Sequence, residues 1–359
     1  MTAIKKYIGQ VGEVRQGAEF DVAKLEGYLT GAIQGFSGPL TVKQFDGGQS
    51  NPTYLLSTPN TRYVMRRKPP GVLLKSAHAV DREFRVTKAL HGLGYPVPEP
   101  LCLCEDPEVI GTIFYVMEHM EGRVFWDSRM PDLTPAERAA IYDSANETLA
   151  RLHTVDYEAI GLGDYGRPGN YFARQISRWS QQYQQSQTRT IEAMDKLIEW
   201  LPTVVPEDDG RSSIIHGDFS FHNLIVHPTE PRIIAVIDWE LSTVGHPLGD
   251  LMYHCMEWYR PEGVDDRGTL YGADLAALGI PTMEEYVAKY CERTGITVSG
   301  PTGFYRAFNL FRVAAILQGV AGRMRDGVAT SSNAEVIIAR IEPLANAALA
   351  EARAAGANI

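Results

Sequence analysis

The chain has 359 residues, and its 34 Lys and Arg against 44 Asp and Glu give a formal net charge of −10. That length suits two domains or one large two-lobed unit, and the acidic balance leaves no broad basic surface for a phosphate backbone, which excludes nucleic acid as an expected partner. Hydrophobic residues at 44% and charged residues at 22% fit a chain with a packed core and argue against disorder.

The same acidity would suit a cationic substrate, or serves only to keep the protein dispersed. Cys102, Cys104, Cys255 and Cys291 lack the paired CxxC spacing of a zinc site and read as structural thiols in a reducing compartment. The most apolar late stretch, 313–320, is short and contains Gln318, so no membrane partner is expected and the expected location is cytoplasmic. Nothing in the sequence fixes the oligomeric state.

In chain order, residues 1–120 read as a small β-rich lobe. LTVKQFDGGQSNPTYLLST (40–58) and TRYVMRRKPPG (61–71) are strands joined at Gly and Pro punctuation. SAHAVDREFRVTKALHGLG (76–94) is helical and ended by Gly92 and Gly94, and GTIFYVMEHMEG (111–122) returns to strand. A tight hinge near Glu118 to Gly122 leads into residues 121–359, where helices dominate. Thr134-Pro135-Ala136-Glu137 is a capping box that opens a helix running to about His153. Ser332 with Glu335 starts a terminal helix whose apolar stripe is Val336, Ile337, Ile341 and Leu344. One segment interrupts the helices: in 212–242, SSIIHGDFSFHNLIVHPTEPRIIAVIDWELS, an apolar approach, a polar loop and two short strands follow one another.

The chemistry gathers in that segment. Phosphoryl transfer needs a group to receive the proton of an attacking hydroxyl, plus hard oxygen ligands for the metal that neutralises nucleotide phosphates. In HGDFSFHN, Asp218 and Asn223 are five positions apart, the spacing of a kinase catalytic loop, with His216 two before Asp218 and Asp238 following at a strand end. An ionised carboxylate only accepts hydrogen bonds, so Asp218 can take the hydroxyl proton and Asp238 can supply oxygen to Mg²⁺. Gly47, Gly48, Ser50 and Asn51 form a turn able to approach phosphate closely, although the GxGxxG and Walker spacings are both absent. Glu83 lies on the inward face of its helix, where it needs a cationic partner; Arg66 is the candidate.

HGDFSFHN, then IDWE, then GHPLGDL, resembles the aminoglycoside phosphotransferase family with its choline- and homoserine-kinase relatives. More narrowly, GGQSNPTYLL, YVMRRKPPG, SAHAVDREFRV and DWELSTVGHPLGDL resemble the kinase-like domain joined to acyl-CoA dehydrogenases in some animal proteins. The resemblance implies an α+β, protein-kinase-like two-lobed fold, with a small β-rich N-lobe, a larger α-rich C-lobe and ATP between them. It implies Asp218 as catalytic base, Asn223 and Asp238 as Mg²⁺ ligands, and His216 and Asp250 bracing the loop. Arg66 would stand where kinases carry the phosphate-pairing Lys, with Arg67 or Lys68 as alternatives, and backbone groups of Glu118 to Met120 would meet the adenine edge. His246 departs from the Asp of many relatives.

The acceptor implied is a small-molecule hydroxyl: a hydroxyacyl-CoA or hydroxy acid derivative, or alternatively an aminoglycoside or other amino alcohol. A kinase-like module that binds nucleotide without turnover is the other class, and intact Asp218, Asn223 and Asp238 argue against it.

Overall fold

Alternating side chains along 53–67 give the first sheet two different faces. In the computed structural model, which describes residues 10–46, 51–69, 79–264, 267–298, 300–326 and 334–359, strands β1 (Val11–Gly12), β2 (Thr41–Phe45), β3 (Thr53–Ser57), β4 (Arg62–Arg67), β5 (Pro100–Cys104) and β6 (Phe114–Glu118) form one antiparallel sheet in the order β1-β2-β3-β4-β6-β5. Tyr54, Leu56, Tyr63, Met65, Phe114 and Val116 point to one face and pack with Leu25 and Leu29 of helix α1 (Val22–Ala32). Helix α1 is absent from the sequence expectations; its signals are Asp21, whose side chain caps Lys24 N at 3.0 Å, and a two-residue apolar stripe. The opposite face carries Arg66 and Tyr115, directly opposed across β4 and β6, and helix α2 (Val80–His91) packs over β5 and β6. A short helix α3 (Pro107–Ile110) follows β5.

The later strands form two antiparallel pairs, β7 (Ser213–Ile215) with β10 (Thr243–Gly245) and β8 (Leu224–Val226) with β9 (Ile233–Val236). The chain divides into two compact units: 1–126 with 158–162 and 221–242, and 127–157 with 163–220 and 243–359. The β8–β9 hairpin therefore groups with the first sheet. Gly122 is fitted to it, because a Cβ there would stand 2.3 Å from Ile225 and 2.5 Å from the Val226 carbonyl.

The second unit holds α4 (Pro135–His153), α5 (Tyr171–Ser186), α6 (Glu192–Trp200), α7 (Pro247–His254), α8 (Met256–Tyr259), α9 (Leu275–Leu278), α10 (Met283–Thr294), α11 (Thr302–Arg325) and α12 (Ala334–Ala354). The Thr134–Glu137 capping box is formed and α4 ends at His153, as the sequence predicts. Buried residues surround α11 along most of its length, and it packs against α12, α5 and α7. The stripe predicted on α12 is corrected at one position: Ile337, Ile341 and Leu344 are buried, whereas Val336 is 59% exposed, one residue off the buried line. Ser332 lies outside the described residues. Among those described, no helix is long and apolar enough to cross a membrane.

Candidate active site

In the first unit, strand alternation decides between the neighbouring cations of β4. Arg67 faces the α1 side, donating to Ala18 O at 3.1 Å with its guanidinium over the Phe20 and Tyr54 rings, so it is a buried support of that core. Arg66 faces α2. Its Nη1 lies 2.9 Å from Asp238 Oδ1 and 3.3 Å from Glu83 Oε2, and its Nη2 is 4.0 Å from Glu240. Burial opposes the Arg66 charge, but Asp238 and then Glu83 hold its pKa well above the ordinary value. Glu83 is itself buried and accepts from Asn51 Nδ2 at 2.9 Å and Tyr115 OH at 3.2 Å. Burial pushes its carboxyl up to about 7 against the pull of Arg66.

Asn51 is fully buried and its amide nitrogen donates to Glu83, so it helps to orient that carboxylate. Gly47, Gly48 and Ser50 lie outside the described residues.

Antiparallel pairing brings the two expected metal ligands together. Leu224 opposes Val236, and Ile237 N donates to Asn223 O at 2.9 Å, so Asn223 and Asp238 lie at the same end of the β8–β9 hairpin. Asp238 adopts φ 67° and ψ 63°, a left-handed conformation unusual for a residue with a side chain and typical of functional turns. Its side chain is 37% exposed, and among the described residues only Arg66 engages it, through Oδ1. Three carboxylates, Glu83, Asp238 and Glu240, thus surround one guanidinium, and the excess negative charge together with hard oxygen donors fits Mg²⁺. Among the described residues no cluster of three or more His, Cys, Asp or Glu forms a self-sufficient metal cage. A magnesium bound here would draw further ligands from phosphate and water.

At the end of β6, Glu118 spends its N–H on Glu99 O at 2.9 Å and its side chain on Glu99 N at 3.0 Å. The Glu118 carbonyl and the backbone groups of His119 and Met120 are then what remains of the expected adenine edge.

In the second unit, β7 delivers His216, Gly217 and Asp218 into a loop tied down by α7. Asp250 Oδ2 accepts from His216 N at 2.5 Å, Oδ1 accepts from Gly217 N at 2.7 Å, and His153 Nε2 lies 3.4 Å away. Burial alone would raise the Asp250 pKa; His153, His216 and the Gly217 N–H outweigh it and hold the carboxyl below its usual range. Gly217 turns through φ 84°, where a side chain would strain the backbone. Asp218 N then donates to His216 Nδ1 at 3.2 Å. The side chain of Asp218 accepts on Oδ1 from Tyr253 OH at 2.7 Å and from Ser220 Oγ at 3.2 Å. Burial and the Asp218 charge raise the Tyr253 pKa, which keeps its hydroxyl a donor at neutral pH.

Two residues of this loop's support are not singled out by the sequence. Tyr253 is one; Arg312, which donates from Nη2 to Gly217 O at 2.6 Å, is the other. The spacing of His246, Asp250 and Tyr253 along one helix is the available signal for Tyr253, whereas Arg312 is far away in sequence on α11. His246 itself caps α7, accepting from Leu248 N at 3.3 Å through Nδ1, while Nε2 meets Asp209 at 3.1 Å. It fills the capping role that Asp can serve equally well.

A model of the phosphotransferase enzyme family called APH matches residues 41–286, which run from β2 through β10 and include the braced loop. The chain belongs to this family. It is 44% identical over 344 residues to acyl-CoA dehydrogenase family member 11 of Rattus norvegicus, an alignment covering 94% of this chain and 44% of that protein. The chain spans less than half the length of the curated relatives it matches first. A crystal structure from Ralstonia eutropha JMP134, described as a candidate aminoglycoside phosphotransferase, shares 50% identity and a TM-score of 0.84, over 94% of this chain and 99% of that one. The aminoglycoside phosphotransferase APH(4)-Ia, solved with ADP and hygromycin B, aligns at 17% identity and a TM-score of 0.58, over 94% of this chain and all of that one, and shares the fold. The fold of this family member is kinase-like, with a small antiparallel-sheet N-lobe and a helical C-lobe.

Proposed function

We propose that this phosphotransferase moves the γ-phosphate of ATP to the hydroxyl of a small molecule. The observation that carries the reading is the open end of the β8–β9 hairpin, where Asn223 and a left-handed Asp238 stand together and Arg66 bridges Asp238 to Glu83. Asn223 and Asp238 would hold Mg²⁺, which when bound neutralises charge on the nucleotide phosphates. Arg66, kept charged by its carboxylates, supplies a fixed cation for the phosphate side. Asp218 accepts the proton of the acceptor hydroxyl, and the donors on its Oδ1 fix the plane of its carboxylate. Asp250 and His216 act through the loop backbone, holding Asp218 in position without touching substrate. Most of the acceleration then comes from alignment and charge stabilisation, as phosphoryl transfer requires.

For the acceptor we propose a hydroxyacyl thioester or related hydroxy acid derivative, a reading supported by the similarity to proteins named acyl-CoA dehydrogenase family members. The test is an acceptor screen with Mg-ATP in which ADP and the phosphate ester are measured together by ³¹P NMR. Hydroxyacyl thioesters are expected to outperform hygromycin B and choline. Faster transfer to hygromycin B than to every thioester would overturn the acceptor and leave the kinase reading standing. Binding of Mg-ATP with no transfer to any alcohol would favour a nucleotide-binding module instead.

A further inference from the structure

Within the helical unit, two arginines approach one indole, that of Trp179, and among the described residues neither is neutralised by a carboxylate. Arg178 of α5 is exposed, and its guanidinium lies 5.1 Å from the centre of the Trp179 ring. Arg312 of α11 is only 4% exposed; its guanidinium lies 5.9 Å from the centre of the same ring and 5.2 Å from that of Tyr253. Its Nη2 donates to a neutral acceptor, the Gly217 carbonyl, and its buried Nε has no partner. Among the described residues, no carboxylate forms an ion pair with either guanidinium.

Although Arg178 keeps part of its surface exposed, its guanidinium sits against the Trp179 ring, and that desolvation first, then the like charge of Arg312, hold its pKa below that of an ordinary arginine. Two cations that share one indole and repel each other, one of them buried, are unfavourable without a counter-ion, and a bound anion would offset that cost. The pair is also placed to serve the reacting group. Tyr253 offers its ring face to Arg312 and its hydroxyl to Asp218, so Arg312 and Asp218 stand about one tyrosine ring apart.

We infer that Arg178 and Arg312 hold an acid group, a carboxylate or a phosphate, on the hydroxyl-bearing acceptor, which is therefore an anionic alcohol. This rests on the proposed role of Asp218 at the acceptor hydroxyl. Guanidinium forks match either acid group in geometry and charge, and the Trp179 indole that both approach gives the carbon skeleton an apolar wall. Polycationic acceptors would meet like charge at this place, so the local field opposes the negative charge of the whole chain.

The experiment is calorimetry on the full chain with Mg²⁺ and a non-hydrolysable ATP analogue present. The probes are 3-hydroxybutyrate, 3-hydroxybutyl phosphate, neutral 1,3-butanediol and choline, against wild type, Arg178→Lys, Arg178→Ala and Arg178→Glu. At least one anion is expected to bind, with the diol and choline at least about 10-fold weaker; whichever anion binds tighter identifies the acid group. Arg178→Ala should weaken that anion by roughly 10- to 100-fold, Arg178→Glu more, and Arg178→Lys least. Affinity for the ATP analogue should stay unchanged in all three variants. Absence of binding by both anions, equal binding of the diol or choline, or anion binding indifferent to Arg178→Glu would each overturn the inference. The kinase reading fails separately, through absent nucleotide binding and absent transfer to alcohols of every charge.

Discussion

Tyr253 and Ser220 both donate to Oδ1 of Asp218, so the carboxylate is held from two sides before any substrate arrives. A hydroxyl that donates to a base lowers its basicity and fixes its direction. Tyr253→Phe should therefore lower kcat by about 10-fold with the KM for ATP unchanged, the size of one lost hydrogen bond to a charged group. The acid limb of the pH–rate profile should also move upward, because Asp218 loses a donor to its ionised form. A raised KM for ATP with an unmoved pH profile would return Tyr253 to a packing role. At this scale the sequence is legible where a local rule applies. Strand alternation separates Arg66 from Arg67, and helix spacing turns Glu83 inward. The burial of Asn51 is not legible, because its Gly-rich turn suggests exposure while the contact that buries it comes from a helix more than thirty residues later.

Helix α7 links several of these effects, since it carries the capping His246, the loop-bracing Asp250, Tyr253 and His254 along two turns. His254 is fully buried beside the Phe219 carbonyl, with its Nδ1 3.2 Å from that oxygen. Burial lowers its pKa from 6.5 to about 4. The unfolded chain therefore takes up a proton below about 6.5 that the folded chain refuses until about 4, and protonation favours unfolding in that window. The His254 contribution to stability should fall by roughly 3 kcal/mol as pH drops from 6.5 to 4, because each pH unit between the unfolded and folded titrations is worth about 1.4 kcal/mol, while Glu83, held up at about 7, acts in the opposite direction. Asp250, held below its usual range, contributes a separate loss at more acidic pH. Chemical denaturation of wild type and His254→Gln across pH 4–7 isolates the His254 part as the difference between their slopes, with wild type losing more stability toward pH 4; equal slopes in both proteins would contradict it. Elements are readable from caps and periodicity, as α4 shows. Helix α1 and strands β1, β5 and β10 escape such a reading because each is short and gains its stability from partners distant in sequence.

Across the whole molecule, the net charge of −10 indicates little about what is bound, because charge is distributed by site. Carboxylates gather around Arg66 in the first unit, and arginines that pair with no carboxylate among the described residues gather around Trp179 in the second. The motif HGDFSFHN and the following IDWE are legible as chemistry, and their resemblance leads to the correct family and fold. The support from α11 is not legible, since no local pattern marks which arginine will meet a loop about a hundred residues away. The central claim is that Asp218 serves the acceptor while Asp238 serves the metal and nucleotide. Its most direct test titrates Mg²⁺ and ATP against Asp218→Asn and Asp238→Asn by calorimetry and initial rates. Asp218→Asn should bind Mg-ATP nearly as wild type and lose roughly 10²- to 10⁴-fold in turnover. Asp238→Asn should need more Mg²⁺ and bind nucleotide weakly before any acceptor is present. The account is contradicted if Asp218→Asn loses metal–nucleotide binding while Asp238→Asn keeps it and loses turnover alone.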